Sequence, residues 1–205
     1  MRCLLLLVMT LCSSALLTAQ TFQASVLAGT NISQIEGDDL YGFHKFGLNG
    51  GIRVVAKLND RWRVGPEILF TQSGSRRPVR GNSSRFTRFH FNKLEVPLMV
   101  YYKDWRFVAE TGFSYQRLFS YEIDNARRED ISEMFALKDN LFAFNIGVTL
   151  YATENIGINF RWSKHIIDLD IDDAINTSLR GQTISLRMVW TPGAGETLPR
   201  PTIQE

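Results

Sequence analysis

The sequence predicts an all-β protein: an eight-stranded antiparallel up-and-down transmembrane β-barrel. Three observations predict it. Eight segments alternate apolar and polar residues with the period of a strand. Their connections alternate between short and long. The polar face of these segments carries charges in mid-segment, where a lipid-facing wall would turn them inward.

The chain has 205 residues and a net charge of +2, enough for one domain. That balance gives no argument for a nucleic-acid partner, and no aromatic-basic module is present. Residues 1–20 read as a secretory signal. Arg2 opens them, "LLLLVMTLC" is the apolar stretch, and "SSALLTAQ" supplies small residues for a cut near Ala19 or Gln20. Both cysteines, Cys3 and Cys12, lie there, so a mature chain would hold no disulfide, thiol nucleophile or thiolate metal site. "MTLC" lacks the small residue expected before a lipidated cysteine. After Gln20 no long apolar helix is found, and the mean hydropathy of −0.10 allows a barrel with half-apolar strands.

The elements follow in order. "FQASVLAG" puts Phe22, Ala24, Val26 and Ala28 on one face. "FGLNGGIRVVAKL" sets Phe46, Leu48, Ile52, Val54 and Ala56 against Asn49, Arg53 and Lys57. "WRVGPEILFTQ" sets Trp62, Val64, Pro66, Ile68 and Phe70 against Arg63 and Glu67. "LEVPLMVYY" sets Leu94, Val96, Leu98, Val100 and Tyr102 against Glu95 and Tyr101. "WRFVAETGFSYQ" sets Trp105, Phe107, Ala109, Phe113 and Tyr115 against Arg106, Glu110 and Gln116. "LFAFNIGVTLYA" puts Phe142, Phe144, Ile146, Val148 and Leu150 together. "IGINFRWSKH" sets Ile156, Ile158, Phe160 and Trp162 against Asn159, Arg161 and Ser163. "GQTISLRMVW" sets Ile184, Leu186, Met188 and Trp190 against Thr183, Ser185 and Arg187.

Short turns "NDR", "KD" and "TEN" join segments two to three, four to five and six to seven. The other connections are long: "SQIEGDDLYGFHK", "SGSRRPVRGNSSRFTRFH", "SYEIDNARREDISEMFALKDN" and "IIDLDIDDAINTSLR". Barrels of this plan keep short turns and both termini toward the periplasm and long loops outside. Trp62, Trp105, Tyr102, Tyr151 and Trp190 fall at one level, as in an interfacial aromatic girdle. Barrel residues would span 21–190. The tail 191–205, "TPGAGETLPRPTIQE", reads as a flexible periplasmic segment.

An eight-strand barrel has room inside for side chains but not for a wide channel. The inward charges Arg53, Arg63, Glu67, Glu95, Arg106, Glu110, Arg161 and Arg187 should therefore pair as a lumen plug. Two alternatives stay open. A lumen free of that plug would make a small-solute channel. The same faces read inside out would make a secreted lipocalin-like or sandwich binder.

The chain resembles the PorT-type outer-membrane barrel proteins of Bacteroidota. The resemblance rests on "LAGTNISQIEGDD", "GLNGGI", "GPEILFTQSGS", "KLEVPLMVYY", "TGFSY" and "INFRWSKHIID", which cover nearly the whole chain after the signal. It implies an eight-stranded barrel in the outer membrane of a Gram-negative bacterium. The family takes its name from a secretion and gliding component, yet the resemblance assigns no single function and no catalytic residue. The strand ending at Trp190 fits the signal read by the barrel assembly machinery, although the tail follows it.

Other residues suggest chemistry more weakly. Ser163 and His165 share a strand face, with Asp168 close by, a pattern some outer-membrane lipid hydrolases use; no catalysis is expected. Of the other histidines, His44 and His90 fall near loop bases. Asp168, Asp170 and Asp172 could hold calcium, but the glycine and distal glutamate of a calcium loop are missing; no cofactor or metal is expected. Arg76, Arg77, Arg80, Arg85 and Arg88 form a candidate anion-binding loop. "DISEMFAL" could form a short helix capped by Asp130, with Glu133 completing a capping box. Expected partners are outer-membrane lipid, the assembly machinery during biogenesis and an unknown surface or periplasmic protein.

Overall fold

The computed structural model describes residues 21–37, 40, 42–77, 86–134, 137–169 and 179–193. The predicted signal 1–20 and residues 194–205 of the predicted tail lie outside them. The strands are β1 (Thr21–Glu36), β2 (Lys45–Lys57), β3 (Trp62–Arg76), β4 (Phe86–Asp104), β5 (Phe107–Asn125), β6 (Asn140–Tyr151), β7 (Ile156–His165) and β8 (Arg180–Trp190). They form one closed barrel in sequence order, each neighbour antiparallel. The seam pairs β1 with β8 from Val26↔Trp190 to Glu36↔Arg180. The predicted fold class is the observed one.

Alternation decides the faces. Along β2, Leu48, Ile52 and Val54 are exposed while Asn49, Arg53 and Val55 are buried. The same inversion holds on every strand, so the wall presents hydrocarbon outward and polar groups inward. Rungs of the ladder are missing beside Pro66 and Pro97, which have no N–H to donate.

The three short turns are built differently. Asn59 accepts the backbone N–H groups of Arg61 and Trp62 on its side-chain oxygen, at 2.9 and 2.8 Å. The second turn is Trp105–Arg106, closed by Asp104↔Phe107. Trp105 adopts φ 53°, unusual for a residue with a side chain, and holds its ring outward against Phe107 at 5.9 Å. In the third, Asn155 donates its side-chain amide to Thr191 O at 2.7 Å and clasps the end of β8.

Strand length departs from the sequence reading. β1 continues through "SQIE", β3 through "SGSR", β4 begins at Phe86 and β5 runs on through "SYEIDN". The sequence pattern reads these stretches as loop. In β4 and β5 the alternation is broken by β-bulges: register shifts fall between Phe86 and Arg88 and between Asn92 and Lys93. The second leaves Phe119 and Ser120 both exposed, after which Tyr121 and Ile123 turn inward. The first brings Phe86 and Phe89 to the same side three residues apart. Gly74, at φ 143°, sits opposite His90, where a Cβ would meet Phe89 O at 2.1 Å.

Inside these extensions lies an apolar cap of Ile35, Leu40, Phe86, Phe89, Phe91, Leu118, Ile123, Leu137, Leu141, Leu169 and Leu179. The predicted helix around "DISEMFAL" is a single 3-10 turn, Ser132–Met134. Asp130 does cap it, accepting from the Ser132 N–H at 2.9 Å. Met134 stays 77% exposed. Leu137 joins the apolar cap, and Phe135 lies outside the described residues.

Candidate functional site

The site is the lumen plug. Glu67 on β3 accepts from Arg53 Nε at 2.8 Å, from the Tyr101 hydroxyl at 2.7 Å, and from both terminal nitrogens of Arg161 at 2.7 and 2.9 Å. Glu110 on β5 accepts from Arg161 Nε at 2.7 Å and from Arg53 at 3.3 Å. Arg187 stands further off, 4.0 Å from Glu67 and 3.8 Å from Glu110. Its guanidinium donates instead to the side-chain oxygens of Asn159 at 3.0 Å and Asn49 at 3.2 Å. The Arg53 guanidinium also lies over the Tyr101 ring at 4.7 Å. Three arginines thus meet two glutamates at mid-height, all buried. Ion pairs survive such desolvation only when their remaining donors and acceptors are also satisfied, as here.

Register puts these groups together. Arg53 pairs with Glu67 across β2–β3. Gly147 is the rung between Glu110 and Arg161, paired with Glu110 on one side and Arg161 on the other. A Cβ on Gly147 would come within 2.8 Å of Glu110 Oε1, so the missing side chain is what lets the two charges meet.

Toward the long-loop end a second polar layer follows. Asn49 donates to Thr71 at 2.7 Å, and Thr71 donates to Glu95 at 3.2 Å. Lys93 Nζ donates to Gln116 at 2.8 Å and lies 3.2 Å from His165 Nε2. The Gly181 N–H points at His165 Nδ1 at 3.3 Å, and His165 Nε2 lies 2.9 Å from Gln116 Oε1. The cavity left between these layers is about 10 Å³, room for about one water. Toward the short-turn end the lumen is filled by Leu27, Val55, Leu69, Met99, Tyr101, Val108, Tyr151 and Val189.

The predicted set is therefore brought together only in part. Arg53, Glu67, Glu110, Arg161 and Arg187 form one network. Glu95 sits in the next layer. Arg63 lies lower, donating to Gln23 at 3.4 Å. Arg106 does not join the network: it occupies the β4–β5 turn, half-buried, with its guanidinium 5.7 Å from the Trp105 ring. The turn absorbs Trp105 and Arg106, so strand parity does not apply to them. Tyr151, expected in the girdle, faces inward because odd positions of β6 line the lumen. Lys93 was missed, although it shares the parity of Glu95.

The anion-loop set also divides. Arg88 is held by Asp124 at 2.8 Å and Glu122 at 3.1 Å. Arg77 donates to Phe86 O at 2.9 Å. Arg76 ends β3, exposed. Arg80 and Arg85 lie outside the described residues. Ser163, His165 and Asp168 do not form a relay: Ser163 donates to Asn145 at 2.6 Å, His165 faces Gln116 and Lys93, and Asp168 accepts from Arg180 at 2.8 Å. Asp170 and Asp172 lie outside the described residues. No cluster able to hold a metal ion occurs among the described residues.

Comparison with known proteins agrees with this geometry. Residues 3–191 match the family model described as outer membrane protein beta-barrel domain. No curated protein matches. Among solved structures, Ail, the attachment invasion locus protein of Yersinia pestis, superposes with a TM-score of 0.50 at 14% identity, over 82% of this chain and 97% of that one. Neisserial surface protein A gives 0.49 at 11% identity, over 82% and 96%. OprG of Pseudomonas aeruginosa gives 0.40 at 12% identity, over 82% and 93%. At 14% identity the likeness to Ail concerns the fold alone. With the family matched along nearly its whole length, the chain belongs to the outer-membrane β-barrel domain family and is an outer-membrane β-barrel protein.

Proposed function

We propose that this barrel is a non-conducting structural or interaction component of the envelope, working through its long-loop end rather than through its lumen or through catalysis. One observation carries the reading: the lumen is filled by charge-paired and apolar layers, while β3, β4 and β5 extend beyond them around an apolar cap. A projecting wall suits display to a partner, and the filled lumen argues against a solute path. The long loops would face outside and the short turns the periplasm. The PorT-like resemblance supports kinship with Bacteroidota barrels and a place in secretion or envelope assembly. Cleavage near Ala19 would yield the mature chain. Among the described members of the arginine set, Arg76 is exposed and available to an anionic partner, while Arg88 is held by two acids.

The test is photo-crosslinking in intact cells from Met134, on the exposed 3-10 turn. A discrete adduct of the barrel with one envelope protein or glycolipid is expected. Absence of any adduct from Met134 and from Phe119, also exposed at this end, would contradict the interaction role.

A further inference from the structure

A depression lies in the lipid-facing wall. It measures about 310 Å³ and is lined by Trp62, Val100, Tyr102, Ala109, Thr111 and Ile146, with Glu110 and Gly147 also contributing. Its origin is legible in β5. The outward positions there are large at Phe107, Phe113 and Tyr115 but small at Ala109 and Thr111. The neighbours across the ladder, Tyr102 and Val100 on β4, pair with those two small residues. Ile146 on β6 pairs with Thr111. Trp62 pairs with Tyr102 and packs edge-on against it at 4.9 Å. The result is an apolar trough, walled by aromatic rings at the short-turn end and open to hydrocarbon.

A charged group stands at that mouth. Arg61, exposed in the β2–β3 turn, donates its guanidinium N–H to the Tyr102 hydroxyl at 3.1 Å. Asp104 lies within electrostatic reach of Arg61. An apolar trough ending in a cation with an acid beside it complements an amphiphile with a charge pair at one end. A second barrel docked here would instead bring its own Arg61 and Asp104 to a symmetric contact and offer no chain to fill the trough.

We propose that the trough is a specific site for one zwitterionic glycerophospholipid of the leaflet at the short-turn end. An acyl chain lies over Ala109 and Thr111. The phosphodiester meets Arg61, a strong partner for phosphate oxygens, and the headgroup ammonium faces Asp104. Trp62 and Tyr102 frame the glycerol region at the interface, the level such rings favour.

Native mass spectrometry of the folded full-length protein in detergent tests this. The probes are phosphatidylethanolamine and a diacylglycerol with the same chains. One bound phosphatidylethanolamine is expected at concentrations where diacylglycerol leaves no adduct. Thr111→Leu fills the trough and should weaken retention about tenfold. Arg61→Gln, in an exposed turn that carries no core packing, should abolish the preference for phosphatidylethanolamine over diacylglycerol. A heat-dependent gel shift verifies that each variant is folded. Equal retention by the parent protein and both variants would overturn the proposal. So would equal retention of the two lipids by the parent protein, or a dimer that excludes lipid and assigns the trough to a second copy.

Discussion

Glu67 concentrates the energetics of the lumen, since Arg53, Arg161 and Tyr101 all donate to it. Glu67→Gln keeps the volume but leaves three buried arginines facing one carboxylate. A loss of about 3–5 kcal/mol is expected, the usual consequence of stripping one partner from a buried charge pair. Urea unfolding from lipid vesicles measures it. Tyr101→Phe removes a single hydrogen bond to a charged group and should cost about 1.5–3 kcal/mol in the same assay. A surface carboxylate behaves differently. The Ser132 hydroxyl and N–H hold Asp130 below the usual carboxylate range. Its contribution to loop order is present above that usual range and fades as pH falls through the lowered pKa. A side-chain NMR titration checks this, and Ser132→Ala should move the titration back up. Most of the network was legible, because Arg53, Glu67, Glu110, Arg161 and Arg187 obey strand parity in mid-segment. Lys93 was legible in principle, one alternation step before Glu95. Arg106 was misplaced because a turn residue has no parity. Gly147 carries no charge to read, and only the cross-strand register shows that it separates Glu110 from Arg161.

The strands were recognised as far as their alternation ran unbroken. β6, β7 and β8 differ from their sequence-read segments by no more than a residue at either end. β4 and β5 proved longer because their bulges shift parity just where the strands leave the apolar band, and β1 and β3 because the short polar stretches "SQIE" and "SGSR" read as loop. A bulge looks like a loop to any reading based on period two. The apolar cap was hidden for the same reason: its members come from seven separate segments, with Phe86 and Phe89 out of phase. Phe89→Ala should therefore destabilise the cap by about 3–5 kcal/mol. The effect should stay local. Hydrogen exchange should rise at the long-loop ends of β3, β4 and β5 while the rungs around Arg53 and Glu67 remain protected. Equal loss of protection along the whole of these strands would show that the cap and the membrane wall unfold as one unit.

The whole molecule inverts the usual arrangement of a soluble domain: hydrocarbon covers its outside, and its charges satisfy one another within. That inversion could be argued from sequence because eight charges fell on the polar faces of six segments and three connections were too short to be anything but turns. The closure of the lumen could not be settled that way, since pairing depends on distances between strands far apart in the chain. Glu67 and Arg161 are separated by 94 residues yet meet at 2.7 Å. The proposed non-conducting role requires this meeting, with the layers above and below it, to seal the barrel. Planar-bilayer recording of the purified, folded protein tests that seal. A silent membrane is expected, with no stepwise currents above the protein-free baseline across a wide range of applied voltage. Reproducible single-channel steps from the folded protein would contradict it and restore the reading of a small-solute channel.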